Sequence, residues 1–126
     1  MKTNFSDHPR RFDADGTGRF IISDLGTIEL GADEQITFLG DTGSQYDVAR
    51  KTWGYYATPS LNHRLPAKGL RPALASNKDG RYCVCLMESS KHAEFADYFE
   101  KAGIRVVGWL DDAATLARIE TALRKD

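Results

Sequence analysis

"LRPALASNKDGRYCVCLMESSKHAEFADYFEKAGIRVVGWL", residues 70–110, decides the fold class. Two runs suited to strands, 70–76 and 81–87, flank Asn77-Lys78-Asp79-Gly80, whose side chains favour a tight reversal. A β-hairpin is expected there. Pro72 has no N–H, so the first strand should lie at an edge or begin late. Ser89 or Ser90 is placed to cap a helix running to about Ala102. His92, Phe95, Phe99 and Ala102 fall on one helical face, and Gly103 is the stop. Residues 104–110 are apolar on both faces, as in a buried strand. Strand, helix and strand joined by short links predict a parallel crossover. Asp111 or Asp112 then caps a last helix with an inner stripe of Leu116, Ile119 and Leu123.

Towards the N-terminus the pattern changes to short β segments. Residues 19–24, 27–30, 34–39 and 45–51 read as strands, because Ile28/Leu30 and Ile36/Phe38 alternate with polar residues. Gly40–Ser44 has turn chemistry. Residues 58–65 suit a brief helix with Thr58 as cap and Pro59 at its first position, Leu61 and Leu65 on one face, and Pro66 limiting it. Residues 1–17 are polar and read as a flexible tail. The sequence thus predicts an α+β fold: N-terminal hairpins, a short helix, then β-β-α-β-α with helices on a mixed sheet, all in one domain over 18–126.

The chain has 126 residues, a net charge of −1, 41% hydrophobic and 28% charged residues. These are ordinary globular values for one domain. No apolar run reaches membrane-spanning length and the N-terminus carries no apolar signal region, so cytoplasmic residence without membrane association is expected. Cys83 and Cys85 lie on one face of a strand and read as small buried side chains, not as a metal site. No phosphate-binding Gly-rich loop, dinucleotide fingerprint or zinc-protease helix is present. No cofactor is expected.

Charge is unevenly distributed. Residues 48–83 hold seven Lys/Arg against Asp79 alone. Within this tract lies Arg50-Lys51-Thr52-Trp53-Gly54-Tyr55-Tyr56, followed by Asn62, His63 and Arg64. Guanidinium groups grip phosphate or carboxylate in two-pronged fashion. Rings of Trp53, Tyr55 or Tyr56 can stack a base or cover a sugar, and Asn62 both donates and accepts. Arg50, Lys51, Trp53, Tyr55, Tyr56, Asn62, His63 and Arg64 therefore form the candidate ligand-binding set. Its plainer alternative is a strand with Trp53 in the core and solvated cations. The expected role is a non-catalytic binding or accessory domain for an anionic small molecule, of nucleotide-sugar or sugar-phosphate type, or for an acidic protein segment. Nucleic-acid binding through the same surface is the second reading. The sequence leaves the oligomeric state open.

A third reading is enzymatic. Asp41-Thr42-Gly43-Ser44 after an apolar run resembles the signature of aspartic proteases, where two such Asp residues share a proton. This chain has one, Gly40 interrupts the apolar lead-in, and a hairpin turn accounts for the same residues. His63 is the other candidate acid or base. His92 reads as a partly buried histidine on its helix.

Over residues 46–65 (YDVARKTWGYYATPSLNHRL), 69–88 (GLRPALASNKDGRYCVCLME) and 106–112 (VVGWLDD), the chain resembles a family of small bacterial proteins of unassigned function. The resemblance implies a compact α+β domain and assigns no catalytic residue. His63 stands where the family pattern has a small residue such as Gly, which argues against a shared mechanism through it.

Overall fold

The computed structural model describes residues 1–57 and 59–124. The fold is α+β, with three sheets and three helices among the described residues. The chain divides into two compact units, Met1–Gln35 with Ala49–Tyr55, and Ile36–Val48 with Tyr56–Asp126. Among the described residues, no helix is long and apolar enough to cross a membrane.

In the first unit, β1 (Lys2–Asp13) pairs antiparallel with β2 (Ile21–Glu29). Residues expected to form a tail are therefore a strand. Their partner lies well along the chain, and the pairing gives polar side chains cross-strand neighbours, such as Arg10 with Asp24 at 3.4 Å. The register shifts between Phe5 and Arg10. Pro9 sits in that irregular stretch, where no ladder donor is required. Opposite it, Gly26 (φ +140°) lies so close to β1 that a Cβ would stand 2.8 Å from the Phe5 Cα. The break expected at Leu25-Gly26 is thus a bulged strand. Asp13 holds the hairpin turn by accepting from the N–H groups of Asp15, Gly16 and Gly18.

The second sheet has the order β3 (Gln35–Leu39), β4 (Gln45–Lys51), β5 (Gly54–Tyr56). Its first turn closes through Gly40 N–H to Ser44 O at 2.9 Å and Gly43 N–H to Gly40 O at 3.1 Å.

The second unit's core is built on the third sheet. After α1 (Arg64–Ala67) come β6 (Leu70–Asn77) and β7 (Tyr82–Glu88), then α2 (His92–Ala102), β8 (Ile104–Trp109) and α3 (Ala113–Leu123). The sheet order is β7-β6-β8. The Asn77 side chain accepts from Asp79 and Arg81 N–H and fixes the β6–β7 turn. Both β7 and β8 run antiparallel to β6, so they are parallel to each other, as the crossover requires.

Pro72 lies in the central strand, not at an edge. Its carbonyl accepts from Leu110 N–H, 2.8 Å away. The missing donor therefore faces the end of β8, whose pairing with β6 starts at Ala73↔Trp109. β8, expected to be buried, is an edge strand with Val107 exposed.

Leu65, Leu70, Ala73, Ala75, Met87 and Phe99 form the core. Phe95 lies tilted against Phe99, 4.0 Å between ring centroids. The stripe predicted for α2 is half right. Phe99 is buried, but His92 is exposed beside Trp109, 6.4 Å between centroids. Lys91, not a serine, is the α2 N-cap residue, without a side-chain capping bond. Gly103 ends α2 at φ 68°. Asp112 caps α3 as expected, but no α3 residue is buried and Leu123 is 78% exposed. One helix face above an edge strand finds too little apolar surface to cover it. Cys83 is exposed and Cys85 half-buried, because β7 is also an edge; their sulfurs lie 3.9 Å apart on one face.

The helix expected over 58–65 begins later, at Arg64. Thr58 lies outside the described residues. The Ser60 hydroxyl accepts from Arg64 N–H at 2.8 Å, and Pro66 occupies the first turn, where an N–H would have no helical acceptor. Leu65 is buried against β6 and Leu61 is half-buried.

Candidate functional site

The candidate residues divide between the two units. Arg50, Lys51, Trp53 and Tyr55 belong to the first; Tyr56, Asn62, His63 and Arg64 belong to the second.

In the first unit, Arg50 is fixed from both ends. Its N–H donates to Glu34 O at 2.9 Å and its carbonyl accepts from Asp33 N–H at 2.7 Å. Its guanidinium donates to the carbonyls of Lys51 and Gly54, the latter at 2.8 Å. It thereby staples the turn joining β4 to β5. The same guanidinium lies over the Tyr55 ring, 5.0 Å from the centroid, a favourable cation–π geometry. Its partners are neutral carbonyls, and among the described residues no carboxylate cancels its charge. Trp53, at the tip of the turn, is 68% exposed, and Tyr55 is exposed as well. The core placement of Trp53 is thus excluded. Lys51 differs: its ammonium is paired with Asp33, which adopts φ 64°. Glu34 has its carboxyl held below the usual range by the Gly31 N–H and then by the terminal amine of Met1.

In the second unit, Tyr56, Asn62, His63 and Arg64 are all exposed. Arg64 pairs with Asp47 at 3.3 Å, and Asp47 also accepts from the Thr37 hydroxyl at 2.7 Å. His63 precedes α1 and makes no side-chain capping bond. The candidate set therefore yields one fixed contact, Arg50 over Tyr55, with Trp53 exposed at the tip of the turn that Arg50 holds. Lys51 and Arg64 already carry acidic partners.

Asp41, the carboxylate of the protease-like stretch, is at the tip of the β3–β4 hairpin. The Thr42 hydroxyl donates to Glu88, so that loop is tied to the end of β7. The turn chemistry accounts for its sequence.

Sequence reasoning missed a pocket in the second unit. It is a cavity of about 440 Å³ bounded by the β3–β4 turn, the segment after α1 and the segment after β7. Thr42, Ser44, Gln45, Lys68, Ser89 and Ser90 contribute its polar side chains. Gln45 N–H to Lys68 O (3.1 Å) and Ser89 N–H to Gly69 O (3.0 Å) join the three segments. Gly69, at φ +86°, turns the chain between α1 and β6. The only sequence signal was the hydroxyl content of two short loops, which alone is turn composition.

Elsewhere, Arg71 makes a two-pronged ion pair with Asp111 (2.7 and 3.1 Å) while stacked 4.1 Å over Trp109. The pair raises the Arg71 pKa and rivets the start of β6 to the end of β8. It is a structural element. Among the described residues, no cluster of His, Cys, Asp and Glu could hold a metal ion. No family model, curated protein or solved structure matches this chain.

Proposed function

We propose that the protein is a non-catalytic binding module in which Trp53 and Tyr55, backed by Arg50, receive an anionic ligand with a flat or sugar-like part. A nucleotide-sugar or a sugar phosphate fits this description. The observation that carries the reading is the exposure of Trp53 and Tyr55 on a turn held by the Arg50 guanidinium, which lies over the Tyr55 ring and has no carboxylate partner among the described residues. Such a platform orders few side chains on binding, so little rotamer freedom is lost. Lys51 and Arg64 are assigned no part in holding the anion, because Asp33 and Asp47 already neutralise them.

The test is titration with UDP-glucose, a sugar phosphate and a short oligonucleotide, read by amide shifts at 50–55 and by tryptophan fluorescence. Stacking of one base contributes about 1–3 kcal/mol, so Trp53→Ala should weaken UDP-glucose binding roughly 5- to 150-fold. Affinity should depend weakly on salt. A steep fall with salt, and preference for the oligonucleotide, would move the assignment to nucleic-acid binding through the same rings. Equal affinity of Trp53→Ala and the unaltered protein would remove the platform.

A further inference from the structure

We propose a second binding site, independent of the aromatic platform: the pocket at Ser44, Lys68 and Ser89 takes a phosphate monoester of a small polyol. Three observations converge on it. Its volume, about 440 Å³, lies within the range of small-molecule sites. Ser44 is only 6% exposed, yet its hydroxyl has no hydrogen-bond partner among the described residues. No fully buried side-chain polar atom among the described residues is left unpartnered, so this hydroxyl keeps some contact with solvent; it lies on the side of Gly40 and the Glu88 carboxylate, and Ser44 lines the cavity. Lys68 supplies the third. Its ammonium has no ion pair among the described residues, whereas Arg64 four residues earlier and Arg71 three residues later both have carboxylate partners.

An ammonium and several hydroxyls suit a phosphate, which offers acceptor oxygens in several directions. Ser44, Ser89 and Ser90 can donate from two sides of the cavity. The volume exceeds what a bare phosphate needs, and the Gln45 carboxamide is placed among the lining groups to meet polyol hydroxyls. Glu88, which accepts from Thr42 at the rim, sets an electrostatic limit on the site. Its carboxylate repels anions, so a ligand carrying a single phosphate is penalised less than one carrying two.

Glycerol 3-phosphate is the probe, with inorganic phosphate and glycerol as comparisons, followed by amide shifts and calorimetry on the full chain. Glycerol 3-phosphate should shift Ser44, Lys68, Gly69, Ser89 and Ser90. Lys68→Met, at an exposed position that leaves the fold intact, should weaken it about tenfold or more, and Ser44→Ala should act in the same direction. Lys78→Met removes an exposed turn cation and should change nothing. Absence of shifts at 10 mM, on the order of the weakest specific affinities, overturns the site. So does equal weakening by Lys68→Met and Lys78→Met, which would mean diffuse attraction. Inorganic phosphate binding as tightly as the ester would overturn the polyol half of the assignment.

Discussion

Replacing Leu65 with alanine tests how the second unit is held together. Leu65 is 1% exposed and is the only buried residue of α1. A four-residue helix has no stability of its own, so this side chain anchors the segment to β6. Removing three carbons forfeits about 2.4 kcal/mol of transfer free energy, and incomplete collapse of the site brings the expected loss to about 3 kcal/mol. Native domains have roughly 5–15 kcal/mol in all. With a urea slope of about 1–1.5 kcal/mol/M for a small domain, the midpoint should fall by roughly 2–3 M. Trp109 fluorescence reports on this unit. Leu61→Ala, at a half-buried position, should cost under half as much. The Gln45 amide, which donates to Lys68 O, should lose exchange protection in step with the destabilisation. A loss below about 1 kcal/mol, or equal effects at positions 61 and 65, would refute the claim that one buried leucine fixes this wall of the pocket.

Two further outcomes concern titration. The Thr115 hydroxyl and then its N–H hold the Asp112 carboxyl below the usual range. This cap contribution is therefore complete above the unfolded value of about 3.9 and lost as pH falls through the folded one. Asp112→Asn keeps an acceptor at the cap and should flatten the acid limb of stability measured by α3 amide exchange; an unchanged limb would contradict the assignment. Cys85 is pushed up to about 11, first by burial and then by Cys83 beside it. Its contribution is intact below the unfolded value of about 8.5 and declines as pH rises towards 11. Cys85 should alkylate slowly at pH 8 and faster towards pH 11, and Cys83→Ser should move that profile down; alkylation at pH 8 as fast as a free thiol would refute the burial argument.

Features legible in the sequence are those whose causes are local. The Asn77–Arg81 turn, the Gly103 stop and the Asp112 cap each act within a few residues. The strand at Lys2–Asp13 was illegible because its partner begins at Ile21 and its polar side chains show no alternation. Pro72 misled because its place depends on where β8 ends. Trp53 could not be placed from a run of adjacent aromatic residues, since either face of a strand could have been the solvent side.

Charge gives the clearest case of what folding rewrites. The tract 48–83 looks like a basic surface in the sequence. Three of its cations, however, pair with carboxylates from outside it: Lys51 with Asp33, Arg64 with Asp47, and Arg71 with Asp111. Segregated charge along a chain is thus an attraction that folding satisfies, and its remnant is more informative than its total. Among the described residues, Arg50, Lys68, Lys78 and Arg81 are left without a carboxylate partner. Lys78 and Arg81 belong to an exposed hairpin turn, where solvation is sufficient reason for a charge. Arg50 lies over the exposed Tyr55 ring, and Lys68 borders the hydroxyl-lined pocket. A cation kept free of carboxylates beside a ring or a cavity retains its capacity to attract an external anion, which is why these two positions, and not the basic tract as a whole, carry the functional assignments.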